Sequence, residues 1–424
     1  MSDDSRSDPF LERRRDEPDP IAVGFVLQLA RALHAHGYSA QRLENILGAT
    51  ADRLGLHGHR FFSMPTQIMA AFGPEARQRT ALLRVEPGEV NLGKLAALEQ
   101  VSLDVAYGRS SPQEGMTEIA RIVAAPSAFG PFLTTVSFGV LSGAVCQFLG
   151  GGWREIVVGS ILGLCLGLLA LYAERHARVS RMFETLAAFF LSMAAVGLAR
   201  LVGPISVFVA TLAGLIVLMP GLLLTTAITE LATRHLASGT LRMSSAFMTL
   251  LGIVFGVALG THAGVAVFGE PAPVVASALM PWWAAPVAIL LAAVSSVAIL
   301  KADPHDALWI IAAGVLGVSA GRYAAIILGA EQGTFVAAFG VALASSAYER
   351  WRRRPAPVVL VPGILLLVPG SIGYLSMSSL MERDTLTGID TAFRMILTAV
   401  SLVAGLLLAS VVAPEPRRQT PATP

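Results

Sequence analysis

The chain has 424 residues, 54% of them hydrophobic and only 14% charged, with a net charge of +2 and a mean hydropathy of +0.64. These values exclude a disordered chain, sit badly with a soluble globular one, and point to no nucleic-acid or acidic partner. Both cysteines, Cys146 and Cys165, fall in apolar stretches, so no disulfide framework is implied.

Residues 1–19 are charged and proline-bearing and lack an apolar core, which fits a disordered lead-in and not a cleaved signal peptide. Residues 20–124 have the periodicity of a small cytosolic α+β domain. Ile21–His36 is helical and stops at Gly37; Ser39 caps a second helix running to Gly55. His59–Phe72 and Thr80–Val85 are extended, closing at the turn Pro87-Gly88, and helices follow at Asn91–Tyr107 and Pro112–Val123 with Ser111 as cap. His57 and His59 alternate but have no third ligand nearby, so no metal and no cofactor is expected. There is no phosphate-binding G-x-x-x-x-G-K-[ST] motif, and nothing suggests ATP hydrolysis.

From Ala124 onward, stretches long and apolar enough to span a bilayer predict an α-helical polytopic membrane protein with about ten spans. They lie near Phe129–Leu149, Ile156–Ala173, Thr185–Ala199, Pro204–Thr226 and Met243–Phe268, then Pro281–Leu300, Ala307–Leu328, Gly333–Tyr348, Pro355–Met377 and Thr391–Val412. The division is a first membrane half at 125–268, a second at 278–412, and a disordered tail at 413–424. Arginines cluster in alternate connections (Arg175, Arg178 and Arg181; Arg350 and Arg352 to Arg354), which by the positive-inside rule puts both termini in the cytosol and the protein in a cell (inner) membrane.

Sliding the chain by 149 residues aligns the two halves without a gap over a long stretch. Pro220-Gly221 meets Pro369-Gly370, Arg234 meets Arg383, Gly239 meets Gly388, and Thr249 meets Thr398. Five spans per copy is an odd number, so a direct sequence repeat inserts its copies in opposite orientations. Inverted five-helix repeats are a usual construction of secondary transporters, with the substrate where the copies meet. Arg234 is then expected on the cytosolic side and Arg383 on the far side.

Each Pro-Gly pair is expected to break its span, and freed backbone at membrane depth is tolerated only inside protein or beside a wet cavity. Short polar residues follow each pair. Candidate substrate-binding residues are therefore Pro220, Gly221, Thr225, Thr226, Pro369, Gly370 and Ser371. Glu230, at helical spacing from Thr226, is the candidate for proton coupling. The glycine series 159, 163, 167 and 252, 256, 260, 264 are expected to serve close helix packing. Gly317-Val318-Ser319-Ala320-Gly321 matches a serine-hydrolase pattern, but inside an apolar span, and no catalytic constellation supports an enzyme. Glu184, His262 and Arg322 are ionisable groups within or at the rims of spans.

These residues resemble the threonine/serine exporter family. GYSAQRLENILGATADRLGL, MPTQI and LLRVEPGEVNLGKLAALEQVSLDVAYGRSSPQEG look like its N-terminal domain. FLGGGWREIVVGSILGL resembles the junction of its first two spans, and LMPGLLLTTAITELATRHLASG and LVPGSIGYLSMSSLMERDTLTG its Pro-Gly segments. The resemblance runs from about Val23 to Val412. It implies export of threonine, serine or similar solutes driven by the proton motive force, with protons and the lipid bilayer as partners and a homo-oligomer compatible. One departure is that family members often have Asn and Asp where this chain has Thr226 and Glu230. A dicarboxylate exporter is the second transport reading, drawing on Arg234, Arg322 and Arg394; a membrane-anchored sensor or hydrolase is the third.

Overall fold

The computed structural model describes residues 18–86, 88–272, 280–367 and 370–413. Most of the expected lead-in and tail, together with Pro87 and Pro369, lies outside these residues. The chain divides into two compact units. Of the described residues, one holds those up to Pro126 together with Thr233–Leu241; the other holds Ser127–Ala232 and those from Arg242 to 413. Thr233–Leu241 therefore belongs with the front unit, although it falls inside the first membrane half in sequence.

In the front unit, helices α1 (Pro20–Ala35) and α2 (Ala40–Arg53) precede strands β1 (Arg60–Met64), β2 (Gln67–Phe72) and β3 (Arg79–Arg84). Helices α3 (Leu92–Ala106) and α4 (Pro112–Ala124) follow. The expected extended segment His59–Phe72 is two strands, because the chain turns at Pro65-Thr66, where proline has no N–H to give a ladder. The sheet is antiparallel in the order β1-β2-β3. Its inner face and the apolar stripes of the helices bury Phe25, Leu29, Leu43, Leu47, Ile68 and Leu98. Beside this core the Tyr38 hydroxyl donates to Glu99, which also accepts from Arg42 Nη2 at 3.1 Å. Burial, and then the Glu99 charge, push the Tyr38 phenol well above its ordinary range. His34 Nε2 lies 2.9 Å from the Pro65 carbonyl, and His59 Nδ1 2.9 Å from that of Leu56. Among the described residues no group of three His, Cys, Asp or Glu is placed to hold a metal. In Thr233–Leu241, His235 Nε2 lies 3.4 Å from Glu44, whose other oxygen accepts from the Ser63 amide at 2.8 Å.

Ser39 makes no side-chain cap, whereas Ser111 makes a full capping box. The Glu114 amide donates to Ser111 Oγ at 3.3 Å, and the Ser111 amide donates to Glu114 at 2.8 Å. That second bond, and then the Ser111 hydroxyl donating to the same carboxylate at 2.9 Å, hold the Glu114 carboxyl below its usual range. The contribution is thus present above the ordinary glutamate pKa and fades as pH falls through the lower folded value. Replacing Ser111 by alanine is expected to speed amide exchange in the first turn of α4 roughly threefold to thirtyfold. Exchange mass spectrometry of the full chain at neutral pH checks this, and the difference from wild type should shrink at acid pH.

The second unit is built of helices α5 (Pro131–Phe148), α6 (Trp153–Glu174), α7 (Phe183–Val202), α8 (Val207–Gly214), α9 (Gly221–Ala232) and α10 (Leu236–Phe268, whose first turns lie with the front unit). It continues with α11 (Ala284–Ile299), α12 (Ala307–Leu328), α13 (Ala330–Arg352), α14 (Pro357–Leu365), α15 (Gly370–Met381) and α16 (Thr385–Val412). Among the described residues, seven stretches are long and apolar enough to cross a membrane, or eight if the bent pair α8–α9 is one span. The chain is a multi-pass helical membrane protein with a small α+β front unit.

The expected count of ten is thus reached only with two further helices. One is α11, of 16 residues, shorter than the roughly 20 that a span needs. The other is α13, which carries Glu331 in its first turn and Arg350 and Arg352 in its last. Both glycine series lie at helix contacts. A Cβ on Gly159, Gly163 or Gly167 would strike Cys146, Ser142 or Thr135 of α5. One on Gly256 or Gly260 would strike the backbone of α7 at Thr185 or Phe189.

Helix boundaries recur at the sequence offset. α9 starts at Gly221 and ends at Ala232, and α15 starts and ends 149 residues later. α10 and α16 begin at Leu236 and Thr385, again 149 apart. Between them Arg234 and Arg383 both take left-handed backbone, at φ 66° and 65°. A non-glycine residue in that region is strained by about 1–3 kcal/mol, and here the strain recurs at one register position.

Candidate functional site

Two turns feed the broken helices, and a buried acid fixes each. Glu155, in the first turn of α6, accepts from the amides of Gly152 at 2.9 Å and Ser206 at 3.0 Å, tying the start of α8 to the start of α6. Ahead of α14, Arg354 pairs with Asp303 at 3.1 Å and with the fully buried Asp306, which precedes α12. Charged groups so buried persist only with such partners.

Beyond these anchors α8 ends at Gly214, a 3-10 turn occupies Ile216–Leu218, and α9 restarts at Gly221, bent by 52° from α8. Pro220 supplies no amide to continue the helix, which accounts for the break. α14 ends at Leu365 and α15 restarts at Gly370. The two restarts touch. A Cβ built on Gly370 would lie 3.1 Å from Met219 Cβ and 3.2 Å from both Gly221 Cα and Gly221 N. A side chain at 370 would therefore need the neighbouring backbone to give by a few tenths of an ångström.

A cavity of about 210 Å³ opens where they meet. Pro220, Gly221, Gly370 and Ser371 line it, with Leu141 from α5 and Ile299 from α11 among its apolar wall residues. Four expected site residues thus meet around one space. Pro369 lies outside the described residues. Thr225 and Thr226 do not line the cavity: Thr225 is buried one turn into α9, and its hydroxyl has no hydrogen-bond partner. The first amides of any helix lack intrahelical acceptors and carry partial positive charge. In α9 the Gly221 amide donates to the Met219 carbonyl at 2.7 Å, so the amides at the cavity wall are those of Leu222 and Leu223, with the Ser371 hydroxyl across from them. The arrangement offers donors to a small anionic or hydroxylated group within an otherwise apolar lining.

Glu230 is fully buried and lies in a two-pronged ion pair. Arg242 Nε reaches both of its carboxylate oxygens, at 3.1 and 3.0 Å. Nothing in the sequence singles out Arg242, twelve residues further on, as this partner. In the second half the corresponding helices are joined differently, by Ser376 Oγ donating to the Gly388 carbonyl at 2.8 Å. A second group that the reading missed is Tyr374, buried one turn after Gly370, 149 residues from Thr225, with its ring 6.0 Å from Phe208. His262 and Arg322 are exposed on the outside of their helices. Arg234 and Arg394 are exposed too, so none of the three arginines named for a dicarboxylate lines the cavity.

Comparison with known proteins places this geometry. Residues 24–263 match the profile described as "Putative threonine/serine exporter", and residues 286–412 match that described as "Threonine/Serine exporter, ThrE". Similar curated proteins include pheromone-regulated membrane protein 10 of Pichia sorbitophila, 28% identical over 243 residues, and of Kluyveromyces lactis, 29% identical over 242. Both alignments cover 56% of this chain but only 24% and 25% of those proteins, so the chain matches about a quarter of their length. No solved structure matches. The first profile alone covers more than half of the chain, and the second takes in the half that carries the other Pro-Gly break: the protein belongs to the threonine/serine exporter family.

Proposed function

We propose that this chain is a secondary exporter of small hydroxy amino acids, threonine or serine, driven by the proton motive force. The observation that carries this reading is the cavity at which the helices restarting at Gly221 and Gly370 meet. A substrate carboxylate faces the helix starts, and its side-chain hydroxyl meets Ser371. Thr225, with its unpartnered buried hydroxyl, serves a state in which α9 has turned; Thr226 lies on the neighbouring face of the same helix. Pro220 and Pro369 keep the breaks open.

Glu230 carries the proton. As a carboxylate it is held by Arg242, and on protonation it releases the guanidinium, so that α9 and α10 move apart or together with the proton. The two halves are inverted five-helix copies, with both termini in the cytosol of a cell membrane. Cysteines replacing Arg234 and Arg383 should then be labelled from opposite faces. The dicarboxylate alternative is disfavoured because, among the described residues, no cation lines the cavity.

Purified protein in liposomes, offered labelled threonine, serine and succinate under an imposed pH gradient, tests the reading. Gradient-dependent movement of threonine or serine supports it. Movement of succinate alone, or of none of the three, overturns it.

A further inference from the structure

Among the described residues nothing covers one face of the front unit's sheet. Strand register places Phe62 opposite Met69 and Met69 opposite Leu82, so the three form one row across all three strands. They are 46%, 40% and 65% exposed. The flanking rows on that face are Arg60, Ala71 and Thr80 on one side and Met64, Gln67 and Arg84 on the other. The face therefore joins an apolar stripe to two exposed arginines at opposite corners, and no Asp or Glu stands on it. Arg60 reaches Glu75, outside the strands, at 2.7 Å; with side chains 70% and 83% exposed, that pair is easily exchanged.

Phe and Leu between arginines are the composition of a surface that enters the headgroup region of a bilayer. Apolar side chains reach the acyl boundary while guanidinium groups meet phosphates. A second copy of the same face is a poorer fit, since it brings arginines against arginines and the face itself carries no acid. The chain also supplies the bilayer at high effective concentration. Only residues 125–130 separate the end of α4 from the start of α5, a tether of at most about 20 Å. We propose that the face formed by Phe62, Met69 and Leu82, with Arg60 and Arg84, docks on an anionic lipid surface.

Hydroxyl-radical footprinting of the full-length protein in nanodiscs tests this without any added label. One set of discs holds phosphatidylcholine alone and the other adds phosphatidylglycerol. Oxidation of Met69 and Phe62 should fall with the anionic lipid, while Tyr107, the C-cap of α3, keeps its rate. Each arginine weights the docked state about fivefold, so the double variant Arg60→Gln, Arg84→Gln should shift docking roughly thirtyfold and restore oxidation. Oxidation of Met69 that is indifferent to lipid charge overturns the proposal. So does protection that tracks two copies per disc and not the lipid, which would assign the face to a second copy of the chain.

Discussion

Replacing Gly370 by valine is expected to stop solute movement while leaving a folded protein. Even a bare Cβ at this position would sit 3.1–3.2 Å from Met219 and Gly221, tighter than ordinary contact. Alanine forces the two helix starts apart by a few tenths of an ångström. Valine adds two further carbons at the wall of a cavity of only about 210 Å³, where overpacking costs roughly 1–3 kcal/mol. Transport should fall tenfold or more for valine and less for alanine. Elution from a sizing column in detergent should be unchanged, because the clash falls beside an empty space and not in the packed interior. Valine at Gly340, whose Cβ would meet nothing within 4 Å, is the control and should transport normally.

The second large effect is at the ion pair. Glu230 is fully buried and the Arg242 side chain is 13% exposed. Truncating one member takes from a buried charge its ion-pair partner, at a cost of about 3–5 kcal/mol. Arg242→Ala should therefore lower the melting temperature sharply in detergent. The double variant Glu230→Ala, Arg242→Ala should be less damaged than the two single losses added together, since no lone charge remains. Glu230→Gln separates the roles. It keeps the shape and loses the charge, so if the proton travels on Glu230, transport by this variant becomes flat across pH while wild type stays pH-dependent. A Glu230→Gln protein with a wild-type pH profile would remove Glu230 from coupling.

What the sequence carried and what it hid follow from the kind of interaction. Pro220-Gly221 announces a break because proline lacks an amide, whatever surrounds it. The glycine series at 252–264 announces close packing because only glycine permits a backbone to approach so near. Both are local chemistry, and both are where the structure has them. The Glu230–Arg242 pair is not local. It depends on a turn between α9 and α10 in which Arg234 is left-handed, and arginine gives no sign of that conformation. The cavity's apolar wall is equally hidden, since Leu141 and Ile299 read like every other apolar residue in their helices. Thr225 and Thr226 looked like site residues because they are polar and near the break; one turn of helix carries them off the cavity wall. The apolar run at 281–300 likewise hides that the helix inside it, α11, has 16 residues.

The claim at the centre of this account is that substrate sits between the two Pro-Gly restarts. Its most direct test is protection of a thiol placed there. Ser371→Cys protein in liposomes is exposed to a small thiol reagent, with modification at position 371 read by peptide mass, as the transported amino acid is raised from zero to saturation. The account predicts that the modification rate falls along the same saturation curve as transport. A rate at position 371 that stays constant while transport saturates would contradict it.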